Sequence, residues 1–345
     1  MMIKVSRSFN LAVAFLVLLG TAFFSLSHGF IVTTPKATSP AFRSLFMSTA
    51  QTEEDSTTTS RGVLKRDRYV ATNRFAVRKG RQAKFEQRWA NRKSRLATLD
   101  GFKYFHLMRR VTLAEDGTCT YDEGDSDETM AGNYVSFTIW NKKSDFSAWR
   151  TGDAFKEAHG GTSITAFLST MVNSALVLKG APRPAFYDGL LVQSTTPQNV
   201  PETVDGWRSV EADGISTLPA ECFVACNQFY VPQENAIAFE QRWAERDSRL
   251  SECDGFVAFT LLRRDGTAKG HGTSPVTSEE PTYVSTTIWR DRAAFDNWRT
   301  GGAFQTAHGG AKETDGEKPS APLWSKPPTP VFYEGTLVIS SKDGA

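Results

Sequence analysis

The stretch FEQRWANRKSRLATLDGF at residues 85–102 returns as FEQRWAERDSRLSECDGF at residues 239–256, and 13 of the 18 positions are identical. A second pair follows, because IWNKKSDFSAWRTGDAFKEAHGG at 139–161 is matched by IWRDRAAFDNWRTGGAFQTAHGG at 288–310. Self-similarity at a long, nearly fixed spacing is the mark of a duplicated structural unit. The 345-residue chain therefore carries two copies of one domain.

The two copies differ in the length of one linker. The offset between them is 154 residues through the first pair and 149 through the second, so repeat 2 lacks five residues that repeat 1 has. We expect the linkers, at about 113–132 and 265–281, to be loops. Both copies close on a similar segment, PAFYDGLLV at 184–192 and PVFYEGTLV at 330–338. The predicted domains are repeat 1 at 62–195, a linker at 196–218 and repeat 2 at 219–345.

Each repeat shows the pattern strand, helix, strand, strand, short helices, strand. Residues 69–77 alternate as a strand does, 81–97 carry apolar residues at helical spacing, and 145–159 form two short helical pieces broken near Gly152. Further strands are predicted at 102–111, at 134–140 and over the closing segment. Single helices between strands favour an α+β fold of the ferredoxin-like kind, whose sheet has one bare face. We predict tandem ferredoxin-like domains that pair these faces in an intramolecular pseudo-dimeric α/β barrel.

Composition excludes several classes of protein. The net charge is +2 and no basic stripe is interleaved with aromatics, so we predict no nucleic-acid partner. There is no P-loop, dinucleotide fingerprint, nucleophile elbow or HExxH motif, and no His and carboxylate cluster has metal-ligand spacing. Oxygen chemistry would therefore depend on a bound cofactor or on the substrate. We predict free thiols for the four cysteines, Cys119, Cys222, Cys226 and Cys253.

The first 61 residues have the pattern of a targeting sequence, with a transit-peptide-like segment and a disordered linker predicted over 30–61. Lys4 and Arg7 precede an apolar run over 11–24, and small residues follow at Ser27 and Gly29, which predicts a signal peptide over 1–29. The next stretch begins at Phe30, is rich in Ser and Thr, and resembles the transit peptide of algae with secondary plastids. We predict plastid import, with secretion as the alternative, and no membrane association once the presequence is removed.

One asparagine interrupts an apolar strand face in each repeat. By the two-residue period of a strand, Asn73 shares a face with Ala71 and Phe75, and Asn227 shares one with Ala225 and Phe229. Burying an amide without a partner costs on the order of 1–3 kcal/mol. The amide either satisfies a neighbouring backbone group or lines a pocket where it can donate to a ligand, and the sequence leaves both interpretations open.

A histidine ends the second matched block in each repeat. His159 and His308 each follow a Phe by four residues and precede Gly-Gly. A neutral imidazole is a natural axial ligand for haem iron, and the alternative is a core or capping residue. Trp149 and Trp298 each precede that histidine by ten residues, and they either pack in the core or contact a ligand. We assign the other repeated tryptophans to the core, namely Trp89, Trp140, Trp243 and Trp289.

These motifs together resemble the antibiotic-biosynthesis-monooxygenase superfamily, and within it the IsdG-type haem-degrading monooxygenases. The resemblance covers most of the chain after about residue 68. It implies a dimeric ferredoxin-like α/β barrel, and it implies three roles at each site. His159 and His308 would be the axial haem ligands, Asn73 and Asn227 would donate near the distal oxygen, and Trp149 and Trp298 would press the porphyrin out of plane.

The function that this resemblance implies is haem degradation. Haem would be both substrate and cofactor, with O2 and an external donor such as ferredoxin or an NADPH-linked reductase, and the products would be iron and an open-chain tetrapyrrole. The alternatives are a non-catalytic haem or tetrapyrrole carrier and a cofactor-independent monooxygenase acting on a quinol-like aromatic. Because the pair of domains is fused, we expect a monomer. The segments after the histidines, apolar at 162–178 and polar at 311–322, predict two non-equivalent sites.

Overall fold

The structure of the chain is a computed structural model. The chain divides into a unit Met1–Thr57 and a unit Thr58–Ala345. The predicted signal peptide and the transit-like segment up to residue 61 lie outside the described residues, as does most of the linker 196–218. In the described part of the second unit, no helix is long and apolar enough to cross a membrane. The described residues are 62–92, 94–114, 118–121, 132–158, 174–195, 203, 208, 218–246, 248–266, 280–302, 304 and 322–341.

Repeat 1 follows the predicted order of elements with two differences. The predicted helix over 81–97 is shorter, because it ends at Ala90 and a 3-10 turn over Leu96–Thr98 returns Leu96 to the core. A three-residue strand lies inside the linker that was predicted to be a loop. The helical break at Gly152 is confirmed. The elements are β1 Arg68–Phe75, α1 Gln82–Ala90, β2 Phe102–Leu113, β3 Cys119–Tyr121, β4 Tyr134–Trp140, α2 Lys143–Thr151, α3 Asp153–Ala158 and β5 Arg183–Ser194.

Repeat 2 has the same order over its described residues. Two 3-10 turns, Gln233–Asn235 and Leu250–Glu252, flank its first helix. The side chain of Asp291 caps the second helix by accepting from the Ala294 N–H at 2.8 Å. The elements are β6 Cys222–Phe229, α4 Ala236–Ala244, β7 Phe256–Arg264, β8 Tyr283–Trp289, α5 Arg292–Thr300 and β9 Thr329–Ser340.

Eight of the described strands close into one antiparallel barrel. Around the barrel the order is β2, β4, β1, β5, β7, β8, β6, β9, and the β2–β9 pairing completes the ring, while β3 pairs with the outer end of β2. Because every neighbour is antiparallel, equivalent strands of the two repeats run in the same direction. The pseudo-two-fold axis that relates the repeats is therefore the barrel axis. The predicted α+β class and intramolecular barrel are confirmed.

The barrel interior is built from the faces that helices leave bare. One buried cluster combines side chains of both repeats, among them Val70 and Met108 with Val224 and Leu262. Two further clusters lie between the strands and the helices, one beside the helices of each repeat, and each also takes in strand residues of the other repeat. Among the described strands, this arrangement turns the apolar faces of the eight barrel strands away from water and leaves a free sheet edge at β3.

The closing strands of the two repeats, β5 and β9, bend at equivalent positions. Leu191 of β5 and Leu337 of β9 have φ angles of 51° and 52°, in the left-handed region that non-glycine residues rarely adopt. In β5 this residue lies where the β5–β7 register shifts between Leu190 and Gln193. Such a bulge increases the local twist of a strand. The bend therefore lets each closing strand pass from its own repeat to the other.

Gly335 of β9 lies against a cysteine and a histidine inside the barrel. A Cβ at this position would overlap Cys222 Sγ and lie 3.1 Å from His106 Nδ1, whereas at the equivalent Gly189 the nearest atoms are 3.1 and 3.2 Å away. We expect Gly335→Ala to lower the free energy of unfolding by about 1–3 kcal/mol and Gly189→Ala to lower it by less. Urea unfolding measures both, and Cys222→Ala should recover part of the Gly335→Ala loss. Equal costs at the two glycines would contradict this packing.

His106 is fully enclosed in the barrel interior. Its Nδ1 lies 3.6 Å from Cys222 Sγ, and its Nε2 has no hydrogen-bond partner among the described residues. Burial lowers the pKa of His106 from 6.5 to about 3, so the imidazole is neutral.

All four cysteines are free thiols, as predicted, and burial raises the pKa of Cys222 to about 12.

The buried imidazole predicts acid sensitivity. Between pH 6.5 and 3 the unfolded chain binds a proton at His106 that the folded chain does not, so stability falls as the pH falls. We expect His106 to contribute a loss of about 2 kcal/mol between pH 7 and pH 5. Urea unfolding at the two pH values measures it, with His106→Gln as the comparison. The idea fails if the variant loses as much stability over this interval as the parent chain.

Candidate active site

Asn73 and Asn227 occupy equivalent places on the helix-side face of the barrel. Asn73 lies opposite Ser136 of β4 and Pro184 of β5, and Asn227 has the same register in repeat 2. Both side chains are half-buried, and within the described part of the chain neither amide has a hydrogen-bond partner. Each amide is therefore free of the neighbouring backbone and can donate to a ligand.

Two indoles from two different helices lie toward the two ends of β1, with Asn73 between them along the strand. Trp89 of α1 packs with its ring centroid 5.7 Å from that of Phe75, on one side of the amide. Trp149 of α2 packs on the other side, 5.4 Å from Trp140, which lies opposite the start of β1. A flat aromatic ligand above the amide would therefore contact an indole on either side.

Repeat 2 builds the same arrangement around Asn227. Trp243 lies 5.8 Å from Phe229, and Trp298 lies 5.3 Å from Trp289, between ring centroids. The assignment to the core is confirmed for the fully buried Trp140 and Trp289. Trp89 and Trp243 differ from that assignment, because they are half-buried at the edge of the core, each with an arginine guanidinium over its ring.

Trp149 and Trp298, the residues expected to press on the porphyrin, each pack between two other aromatic rings. Trp149 has Phe155 at 5.0 Å in an edge-on arrangement as well as Trp140. Trp298 has Phe304 at 4.9 Å in the same arrangement. Both indoles are half-buried, so one part of each is packed and another part is accessible. A side chain held in this way resists displacement by a ligand.

Arginines on α1 and just after it form a positive edge beside the indoles. The Arg92 guanidinium stacks over Trp89 at 4.7 Å, and its Nε donates to the carbonyl of Ala158 at 2.8 Å. Burial and the charge of Arg88 lower the pKa of Arg92 to about 10. In repeat 2, burial and the charge of Arg242 likewise lower the pKa of Arg246. Two cations this close favour a carboxylate-bearing ligand.

The predicted iron ligands lie outside the described residues. His159 directly follows Ala158, the last residue of α3, and His308 follows the described Phe304 by four residues. The Arg92–Ala158 contact shows that the chain leading to His159 reaches the same edge as the arginines. Among the described residues, no group of three or more His, Cys, Asp or Glu side chains could hold a metal ion.

The two sites differ at their rims, as far as the described residues reach. In repeat 1, buried Val177 and Leu178 close the edge beside Val77, to which Leu178 is bridged. In repeat 2 this place is taken by Leu323 and Trp324, with the Trp324 ring 6.2 Å from that of Phe229. Site 2 therefore has a third indole that site 1 lacks.

A buried carboxylate on α1 was not predicted from the sequence. Glu86 is fully buried and accepts from Tyr134 Oη at 2.5 Å, Arg109 Nη1 at 3.0 Å and the backbone N–H of Leu218 at 2.6 Å. Burial and the Glu86 charge raise the pKa of Tyr134, which therefore remains a donor. The signal was present, because Glu86 is identical in both copies of the repeated stretch.

The equivalent Glu240 makes the same contacts with the repeats exchanged. It accepts from Tyr283 Oη at 2.8 Å, from Arg263 Nη1 at 2.9 Å and from the backbone N–H of Leu64 at 2.7 Å. Leu64 leads into repeat 1 and Leu218 leads into repeat 2. Each site-bearing helix is therefore fixed by a backbone group in the segment that leads into the other repeat.

The barrel and its two amide-and-indole clusters define a two-domain α+β barrel protein with one candidate site on each outer face. A family model described as antibiotic biosynthesis monooxygenase matches residues 68–161 and again 222–310. The chain belongs to this family. It is accordingly an oxidative enzyme of the monooxygenase type.

Individual relatives point in the same direction. The chain is 32% identical over 111 residues to a staphylobilin-producing heme oxygenase of Staphylococcus haemolyticus, a match that covers 32% of this chain and 91% of the relative. It is 35% identical over 97 residues to the enzyme of the same description from Staphylococcus saprophyticus, covering 28% and 78%.

Solved structures with a similar chain include a putative monooxygenase of Fusobacterium nucleatum. It is 10% identical with a TM-score of 0.47, and the match covers 82% of this chain and 98% of that one. A heme-degrader of Mycobacterium tuberculosis, whose structure has two hemes in its active site, is 27% identical with a TM-score of 0.23, covering 32% and 93%.

Proposed function

We propose that the chain is a haem-degrading monooxygenase with one haem site on each repeat. The observation that carries this proposal is the amide without a partner between two indole-bearing helices, present in both repeats. The side chains of each site suit haem in three respects. The indoles match its flat aromatic faces, the amide offers an N–H at its centre, and the arginine pair matches its carboxylates.

In this proposal haem is the substrate, and its iron supplies the activation of O2 when an external donor provides electrons. His159 and His308 provide the neutral imidazole that binds the iron. Asn73 and Asn227 donate a hydrogen bond inside the pocket. Trp149 and Trp298, fixed by their aromatic neighbours, press on the ligand without yielding, and Arg92 and Arg246 balance the charge of the carboxylates. The products are iron and an open-chain tetrapyrrole.

The relatives support this substrate because they are heme oxygenases and the match covers most of their length. The two sites also differ in the residues at their edges, where site 2 has Trp324 in the place of Leu178. Trp324 narrows site 2 beside Phe229, so we expect haem to bind the two sites with different affinities. The repeats are therefore not interchangeable copies in this proposal.

The test is a titration of the purified chain with haemin, followed in the visible spectrum and then given a reductant in air. We expect saturation at two haemins per chain in two unequal steps, followed by bleaching and release of iron. Trp324→Leu should bring the two steps together, with Leu178→Ala as a matched change at the other rim.

Three outcomes would contradict the proposal. Binding that persists without bleaching, under both a ferredoxin system and an NADPH-linked reductase, would identify a haem carrier. Absence of haem binding would leave an enzyme of this family that acts on another aromatic substrate. Saturation at one haemin with bleaching would support the reaction but contradict a haem site on each repeat.

A further inference from the structure

One end of the barrel interior collects positive charge from both repeats. We call this group the barrel mouth, and it consists of Arg74 of β1, Arg264 of β7, Tyr187 of β5, Tyr333 of β9 and Glu280, which precedes β8. Strand register places Arg264 opposite Tyr187. Arg74 and Arg264 project to the inner side of the barrel, on the same faces as Val70 and Leu262, near the ends of their strands. The haem pockets lie on the opposite, outer side.

The charges of the barrel mouth do not balance. Glu280 bridges the two arginines, with Oε1 2.7 Å from Arg74 Nη2 and Oε2 3.2 Å from Arg264 Nη2. The exposed fractions of these side chains are 21% for Arg74, 7% for Arg264 and 11% for Glu280. Two guanidinium groups thus share one carboxylate. A buried charge without a counter-charge is strongly unfavourable, and this favours a bound anion.

The hydrogen bonds of the barrel mouth are also incomplete. Arg264 Nε and Nη1 and Arg74 Nε are buried and have no partner among the described residues. The hydroxyls of Tyr187 and Tyr333 likewise make no hydrogen bond within the described ranges. Burial raises the pKa of both tyrosines, so their hydroxyls are neutral and can donate. Every unused polar hydrogen here is a donor, and the missing component is an acceptor.

We propose that the barrel mouth binds one tetrahedral oxyanion of the phosphate type, held between Arg74 and Arg264 and shared by the two repeats. The donors approach from different strands of the ring. An oxyanion with several oxygens can accept from all of them, whereas a planar carboxylate matches one guanidinium edge. Gln228 stands in repeat 2 where repeat 1 has Arg74, so this set of two arginines and one carboxylate gives one such site per chain.

The test is calorimetric titration of the purified chain with inorganic phosphate in a chloride buffer. We expect one phosphate per chain and a rise in the unfolding midpoint that saturates. Phosphate also stabilises proteins by exclusion from their surface, so a variant must separate the two effects. Arg264→Gln should lower the affinity by at least about tenfold, and Tyr187→Phe by about threefold. Arg290→Gln, at an exposed arginine paired with Asp254, should leave phosphate binding unchanged.

The stability of Arg264→Gln provides a second readout. This change leaves Arg74 and Glu280 as a balanced pair, so without phosphate the variant should be at least as stable as the parent chain. Three results would overturn the proposal: no saturable binding, equal loss of binding in Arg290→Gln, or acetate binding as tightly as phosphate. None of these results bears on the proposed function, because Arg264 lies inside the barrel and the proposed haem sites lie outside it.

Discussion

Replacing both His159 and His308 by alanine is expected to abolish haem turnover by the chain. Under the proposed function these imidazoles coordinate the haem iron. Without them no side chain of the protein holds the iron near the asparagine amides. Each single variant should retain the turnover of the other site alone. The measurement is the rate of loss of the haem absorbance with reductant in air, together with the iron released.

The control for this experiment is His271→Ala, because His271 has no counterpart in the repeated blocks. This variant should turn over haem at the parent rate. Free imidazole in the buffer should partly restore haem binding to the double variant, since it can occupy the vacated ligand position. A double variant that degrades haem at the original rate would show that the proposed ligation is wrong.

Glu86→Ala is expected to lower the free energy of unfolding by about 3–5 kcal/mol, the usual cost of breaking a buried ion pair. The change leaves the Tyr134 hydroxyl and the Leu218 N–H without their acceptor, and it removes one of the two carboxylates that Arg109 contacts, leaving Glu334 at 2.7 Å. Urea unfolding measures the loss. Because Leu218 belongs to the approach to repeat 2, the variant should also expose the linker before it to protease.

The matched control is Glu157→Ala, which removes an exposed ion pair with Arg95 and should cost less than about 1 kcal/mol. Glu240→Ala should behave like Glu86→Ala, because its contacts are the same with the repeats exchanged. If the Glu86 and Glu157 variants have equal stability, the buried carboxylate does not hold the repeats together.

The sequence was sufficient to predict the duplication, the strands and the paired bare faces, because each depends on a local period or on identity between copies. The sequence was not sufficient to predict the residue at which the first helix ends. Trp89 and Leu96 are seven residues apart, which fits one continuous helix as well as a helix that stops at Ala90 and a later turn. Only tertiary packing distinguishes the two, since both bring Leu96 to the core.

At the site, the strand period alone was enough to place Asn73 on an apolar face, and the structure adds that its amide has no described partner. Glu86 was out of reach, because its partners lie elsewhere in the chain and Leu218 is 132 residues away. A charged residue on an amphipathic helix indicates the solvent side unless such partners are known. The position of Arg92 beside the site could not be predicted for the same reason, since its contact with Ala158 spans 66 residues.

The barrel interior has consequences for how such a chain can evolve. Tyr104 and His106 of β2 correspond in repeat 2 to the smaller Ala258 and Thr260, so bulk on one side of the axis is matched by space on the other. In a homodimer every substitution occurs twice, whereas here it occurs once. Two copies of repeat 1 would overfill a shared barrel, and two copies of repeat 2 would leave it underfilled. The side chains of this interior therefore make each half complementary to the other half and not to a second copy of itself.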